Sequence, residues 1–121
     1  MHIGLSVIEK DVDEFYIGVM NGTVIKSFEL PNEESYLIFK IKKDVKIVYV
    51  LFEGIVWELF INDKYQLPTF SHVCFQSDQI EDIVERAKLK GYSTHKRNNN
   101  IRETYFISDS NFNLFEIKTK V

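Results

Sequence analysis

The chain has 121 residues, of which 45% are apolar and 27% are charged, and its formal net charge is −3. This composition is typical of a folded globular domain, and one cysteine excludes an internal disulfide and a four-cysteine zinc site. The slightly negative charge argues against nucleic acid as a partner. No apolar run reaches the roughly 18 to 20 residues of a membrane span, and the N-terminus does not read as a signal peptide. We therefore expect a cytoplasmic protein that does not contact a membrane.

The first half of the chain predicts a strand, a short helix and several further strands. Ile3, Leu5 and Val7 alternate with His2, Gly4 and Ser6, which is the period of a half-buried strand. Residues 11–22 begin with acids and end at a glycine, which are helix start and stop signals. Four strand candidates follow, at residues 23–30, 35–42, 45–52 and 55–61. A tight turn at Glu53-Gly54 is predicted to join the last two.

A polar stretch, residues 63–69, separates this half from a second one that repeats its pattern. Residues 71–77 alternate in the way the first strand does. A helix follows, with Asp78 as its predicted N-cap and Gly91 as its predicted end. One apolar stripe of this helix is formed by Ile80, Ile83, Val84 and Ala87. The remaining predicted elements are strands at residues 92–96, 101–108 and 113–120, with a hairpin loop at residues 97–100.

The repeated order of elements predicts an α+β fold made of two βαβββ modules, with curved mixed sheets around a cleft. Module 1 covers about residues 1–62, residues 63–69 form the linker, and module 2 covers about residues 70–121. Because a module of about 60 residues is marginal alone, the two should share a core within one domain or pair with another copy.

Two histidines and two glutamates occupy matching places in the two halves. His2 and His72 lie in the first strand of each half, and Glu58 and Glu116 lie in the last. Imidazole nitrogen and carboxylate oxygen suit divalent zinc, nickel, cobalt, manganese or iron, and four protein ligands leave positions open for water or substrate. A single histidine at a strand end is more often a surface residue, so spacing alone makes this metal site a hypothesis.

Several longer motifs agree with this placement: HIGLSV, FYIGVMNG, GIVWELF, SHVCFQSDQIEDIVERAKLKGY and YFISDSNFNLFEI. Through them, nearly the whole chain resembles the vicinal oxygen chelate superfamily. That superfamily includes glyoxalase I, methylmalonyl-CoA epimerase, extradiol dioxygenases, and fosfomycin and bleomycin resistance proteins. The glyoxalase I branch is the most similar, and it implies that His2, Glu58, His72 and Glu116 hold a divalent metal. Glu116 would also be the catalytic general base, which removes a proton next to a carbonyl.

The resemblance therefore implies a metal-dependent lyase or isomerase that acts on a small substrate with two adjacent oxygens. Two alternatives stay open: a metal-free protein that binds a drug or metabolite, as bleomycin resistance proteins do, and an epimerase of the methylmalonyl-CoA type. Glu58 counts against the epimerase, since that branch typically has glutamine there. The absence of an arginine after the first strand lowers the odds of glutathione as a substrate component.

Small two-module proteins of this superfamily often dimerise, so we expect a homodimer, with the site within one chain or between two. The third histidine, His95, is followed by two basic residues and is predicted to lie in a solvated hairpin. Trp57, next to Glu58, is predicted to point to the opposite face of its strand.

Overall fold

A computed structural model describes residues 1–98 and 103–120 of the chain. It contains two four-stranded sheets with helices packed on them. The half of the chain that forms the first sheet contains, in order, β1 (His2–Val7), α1 (Glu9–Asp11), a π-helical continuation (Val12–Ile17), β2 (Thr23–Leu30), α2 (Asn32–Phe39), β3 (Val45–Phe52) and β4 (Ile55–Ile61). The half that forms the second sheet contains β5 (Val73–Ser77), α3 (Ile80–Leu89), β6 (Thr94–Arg97), β7 (Thr104–Ser108) and β8 (Leu114–Thr119). Part of the predicted loop at residues 97–100, and the start of the strand predicted at 101–108, lie outside the described residues.

The two sheets repeat the same topology. Their strand orders are β1-β4-β3-β2 and β5-β8-β7-β6. In each sheet the first strand runs parallel to the last, and the remaining neighbours are antiparallel. The predicted α+β fold with two modules is therefore confirmed. Among the described helices, none has the length and apolar character to cross a membrane.

One face of each sheet lies in a core that the two modules share. Trp57, Phe15 and Phe115 are each 0% exposed. The Phe115 ring lies 5.5 Å from Trp57 and 5.7 Å from Phe15, measured between ring centroids. Since side chains alternate along a strand, the residues between these core positions point to the outer faces of the sheets. Trp57 thus points away from Glu58, as predicted, and its Nε1 donates to the Phe52 carbonyl at 3.2 Å.

Two polar contacts also connect the modules, one buried and one partly buried. The Tyr16 hydroxyl, in module 1, donates to Asp109 Oδ2 at 2.6 Å. The Tyr92 hydroxyl, in module 2, donates to Asp11 Oδ1 at 2.7 Å. Burial raises the pKa of Asp109, and it raises the pKa of both tyrosines well above the ordinary value. We call these two tyrosine–aspartate pairs the inter-module clasp.

The strand predicted at residues 35–42 is wrong, because Asn32–Phe39 form helix α2. The apolar run that favoured a strand is preceded by Pro31, which takes the N-cap position, and by acids in the first helical turn. Lys40 ends the helix in a left-handed conformation with φ 63°. The buried Ser35 hydroxyl then donates to the Ile41 carbonyl at 2.7 Å, which ties the helix to the segment that follows it.

Helix α3 agrees with its predicted stripe, since Ile80, Ile83, Val84 and Ala87 are all buried. Gly91 follows its end with φ 81°, as expected for a helix stop. The predicted N-cap Asp78 is wrong: Gln79 takes that position, and the Ser77 hydroxyl oxygen accepts a hydrogen bond from its backbone N–H at 2.9 Å.

Candidate metal centre

The first candidate pair lies on the outer face of the first sheet. His2 Nε2 is 3.2 Å from Glu58 Oε1. The parallel pairing of β1 with β4 sets Gly4 opposite Glu58, so His2, two residues earlier, projects from the same face. The Tyr49 hydroxyl, on the neighbouring strand β3, donates to Glu58 Oε2 at 2.5 Å. This hydrogen bond is the main reason that the pKa of Tyr49 is raised. Both oxygens of Glu58 are therefore fixed in position.

The second candidate pair lies on the outer face of the second sheet. His72 Nε2 is 3.0 Å from Glu116 Oε1, and the Lys118 ammonium is 3.4 Å from Glu116 Oε2. His72 Nδ1 is 2.9 Å from the Phe70 carbonyl oxygen. That backbone hydrogen bond, supported by Glu116, raises the pKa of His72.

The hydrogen bond to the Phe70 carbonyl has a consequence for metal binding. A carbonyl oxygen only accepts, so Nδ1 must carry the proton. In the neutral imidazole, Nε2 then has its lone pair available on the side of Glu116. Metal-ligating histidines are commonly fixed in this way by a hydrogen bond from the other ring nitrogen.

The distances within the two pairs fit a metal ion. Two donors that each lie about 2.1 Å from one ion in an octahedral arrangement are about 3 Å apart. The observed separations are 3.2 Å for His2 and Glu58 and 3.0 Å for His72 and Glu116. Each pair can therefore supply two neighbouring ligands to one ion without moving its backbone.

The two pairs do not meet within one chain. Among the described residues, no three side chains of histidine, cysteine, aspartate or glutamate come close enough to hold an ion together. The structure thus brings the four predicted ligands together two by two. His95, the third histidine, is exposed on β6, opposite Phe106.

A cavity of about 400 Å³ lies beside the first pair and is partly roofed by α2. Phe39, at the end of α2, packs edge-on against Phe60 of β4 at 5.1 Å. The cavity is lined by His2, Gly4, Leu5, Ser6, Ser35, Phe39, Ile41, Lys43, Val45, Glu58, Phe60 and Asn62. Sequence reasoning missed the contribution of Phe39 and Lys43, since it assigned the segment before β3 to a strand. Pro31 and the acids that follow it, Glu33 and Glu34, were the signals that could have revealed the helix.

Comparison with known proteins gives structural matches only. No family model matches the sequence, and a search of curated proteins finds no match. The fosfomycin resistance protein FosX of Listeria monocytogenes is 22% identical, with a TM-score of 0.75 over 100% of this chain and 92% of that chain. FosX of Mesorhizobium loti is 15% identical, with a TM-score of 0.71 over 100% and 90% of the two chains.

A protein of Bacillus anthracis assigned to the glyoxalase family is 11% identical, with a TM-score of 0.68 over 99% of this chain and 93% of that chain. The chain has the vicinal oxygen chelate fold. The resemblance noted in the sequence is thereby confirmed at the level of the fold. In one crystal structure, the Listeria protein is complexed with Mn(II) and sulfate.

Proposed function

We propose that this protein is a metal-dependent enzyme of the glyoxalase type, a lyase or isomerase whose substrate is small and carries two adjacent oxygens. The observation that carries the proposal is the matched pair of histidine and glutamate on the outer face of each sheet, at separations of 3.2 and 3.0 Å. A purely drug-binding protein has no need for two such pairs. Nickel, zinc, cobalt, manganese and iron all accept this donor set.

We further propose that the complete site forms between two chains of a homodimer. A catalytic metal typically has at least three protein ligands, and each pair supplies two. The pairs do not meet within the described part of one chain, so in this proposal the second pair comes from another copy. His2 and Glu58 would then act with the partner's His72 and the partner's Glu116, and a dimer would hold two such sites.

Exposed apolar side chains support this assembly. β2 is an edge strand, and Val24, Ile25 and Phe28 on it are 46%, 52% and 41% exposed. Leu37 and Ile38 of α2 are 70% and 60% exposed. Large apolar side chains that are this exposed are candidates for burial in an interface.

Each protein group would have a separate role. Bound metal would stabilise negative charge that develops on the substrate oxygens. Glu116 would accept the proton from the carbon next to the carbonyl, and Lys118 at 3.4 Å and His72 at 3.0 Å hold its two oxygens in place. Tyr49 would keep Glu58 oriented through its hydrogen bond.

Metal titration tests the site directly. We expect metal-free protein titrated with Mn(II), Ni(II), Co(II) or Zn(II) in a calorimeter to bind one ion per chain. Glu58→Gln and His72→Ala should each weaken binding by at least the roughly 10- to 100-fold that is typical of losing even an outer-shell partner. His95→Ala is the matched control, since His95 is exposed and belongs to neither pair. Absence of stoichiometric binding by the parent protein would refute the metal site.

A complementation experiment tests whether the site joins two chains. A heterodimer of His2→Ala and His72→Ala chains would retain one site with both histidines intact, and each homodimer would retain none. We therefore expect the purified heterodimer to bind one ion with the affinity of the unmutated protein, and each variant homodimer to bind metal at least roughly 10- to 100-fold more weakly. If all ligands came from a single chain, mixing would restore nothing.

Proton exchange tests the reaction. In deuterated water with bound metal, we expect the hydrogens next to the carbonyl of hydroxyacetone to exchange, as followed by NMR, and Glu116→Gln to abolish the exchange. Exchange that persists in Glu116→Gln would show that another group is the base.

A second candidate function is resistance to a phosphonate antibiotic. It is favoured by the match to FosX, which covers nearly all of both chains. One FosX structure holds Mn(II) together with 1S,2S-dihydroxypropylphosphonic acid. The two candidate functions can be distinguished by NMR. The metal-loaded protein is incubated with fosfomycin, with and without a thiol, and the drug is followed over time. Consumption of fosfomycin without exchange of hydroxyacetone would favour this second function.

A further inference from the structure

We infer that the cavity beside His2 and Glu58 binds the substrate through an anionic group that pairs with Lys43, while a short apolar portion of the substrate packs against Phe39 and Phe60. This assignment of a substrate class and of a specificity-determining lysine rests on the proposed function, because it takes the cavity to be the substrate side of the metal centre.

The first support is the charge of the cavity wall. Among the described residues that line it, the ionisable side chains are His2, Lys43 and Glu58. His2 and Glu58 face each other, and Tyr49 takes the second oxygen of Glu58. Lys43 is therefore the cation of this wall that is available to a ligand once the pair is engaged with a metal.

The second support is how loosely Lys43 is held. Its ammonium lies 3.5 Å from Asn62 Oδ1 and 3.4 Å from Asp63 Oδ1, both long for a charge-assisted hydrogen bond. The Lys43 side chain is 37% exposed and that of Asp63 is 90% exposed, so this ion pair is weak. An ammonium has three donors, and an anion that enters the cavity can take them at little cost.

The third support is the asymmetry of the two modules. Helix α2 follows β2 in module 1, whereas in module 2 only residues 98–103 connect β6 to β7. Phe39 and Ile41, which α2 and its C-terminal segment bring into the wall, are apolar, as are Val45 and Phe60. A ligand that contacts a bound metal, the Lys43 ammonium and these apolar side chains would be a small organic anion. The volume of about 400 Å³ is near the lower end for ligand pockets, which agrees with a small ligand.

The test compares an anion with its neutral analogue on the metal-free, full-length protein. Butyrate and butyramide have nearly the same shape and differ in charge. We expect amide NMR signals of cavity residues such as Gly4 and Ser6 to shift with butyrate at a concentration about tenfold lower than with butyramide. The titrations are run at mildly alkaline pH, where ordinary imidazole is neutral.

Variants assign the preference to Lys43. Lys43→Met should remove the tenfold preference for butyrate, and Lys43→Arg should retain it because the charge is kept. Lys42→Met is the matched control, since Lys42 is exposed and does not line the cavity. Equal binding of both probes by the parent, or an unchanged preference in Lys43→Met, would overturn the inference.

A metal titration of the same samples separates this inference from the proposed function. Lys43→Met should bind metal as the parent does, because Lys43 contacts neither pair. If the parent binds metal but shows no preference for butyrate, the inference fails alone. If it binds no metal, the proposed function fails, and the butyrate preference still decides whether Lys43 forms an anion site.

Discussion

Removing one hydroxyl from the inter-module clasp should measurably weaken the fold. In Tyr16→Phe the ring contacts stay, and the 2.6 Å hydrogen bond from the Tyr16 hydroxyl to Asp109 Oδ2 is lost. Tyr16 is 0% exposed and Asp109 is 5% exposed, so water cannot replace the donor without opening the core. A hydrogen bond to a charged group contributes about 1.5–3 kcal/mol, and we expect the free energy of unfolding to fall by that amount at neutral pH.

The cost of Tyr16→Phe should depend on pH, and the direction of that dependence follows from the pKa of Asp109. Burial raises the folded pKa of Asp109 above its usual value of 3.8, so protonation of Asp109 favours the folded state. This contribution is present at low pH and is lost as the pH rises through the folded pKa. Loss of the Tyr16 donor raises that pKa further. The cost of Tyr16→Phe should therefore be largest at neutral pH and should shrink toward about 1 kcal/mol as Asp109 is protonated.

The assay is urea unfolding followed by circular dichroism, at one fixed protein concentration because assembly couples to stability. The free energies of unfolding should be compared at neutral pH and at the most acidic pH where the unmutated protein stays folded. Tyr65→Phe is the control, since Tyr65 is 65% exposed and should change stability by less than about 0.5 kcal/mol. A cost for Tyr16→Phe no larger than that of the control, or one that grows on acidification, would refute the reasoning.

Three further predictions concern the core, a close backbone approach and the metal. Leu59→Ala, at a position that is 0% exposed, should lower the free energy of unfolding by about 2–5 kcal/mol in the same urea assay. Gly22→Ala should lower it by about 1–3 kcal/mol, because an added Cβ would lie 2.4 Å from Val50 Cγ1; a melting temperature equal to the parent's would contradict this. Lys118→Met should raise metal affinity a few-fold in calorimetry, since losing a positive charge 3.4 Å from Glu116 should outweigh losing the contact that orients its carboxylate; weaker binding would contradict this.

Local patterns predicted the elements that depend on local chemistry. The apolar stripe of α3 and the helix stop at Gly91 could be read from spacing and from backbone preference. The turn at Glu53-Gly54 was equally accessible, and both residues have positive φ, of 52° and 70°. The segment at residues 35–42 was assigned wrongly because its short apolar run has no period that separates a strand from a short helix, and the helix signals, Pro31 and the acids that follow it, lie before that run.

The candidate site was predictable in its members and not in its arrangement. The repeat pointed to His2 and His72 in the first strands and to Glu58 and Glu116 in the last strands, whereas the shared face of each pair depends on the register between strands. The contacts of Tyr49 and Lys43 depend on cross-strand register and on α2, which no single-sequence pattern encodes. Whether the two pairs meet in one chain depends on how the modules pack, and this is set by their shared core.

Helix α2 can change without disturbing the strands that carry the candidate metal ligands. Its anchoring hydrogen bonds lie within residues 32–44, from Ser35 to the Ile41 carbonyl and from the Asn32 backbone N–H to Asp44. The two histidine–glutamate pairs are carried by β1, β4, β8 and the residue just before β5. Mutations in α2 can therefore reshape what the cavity admits and leave the strands that carry the pairs intact.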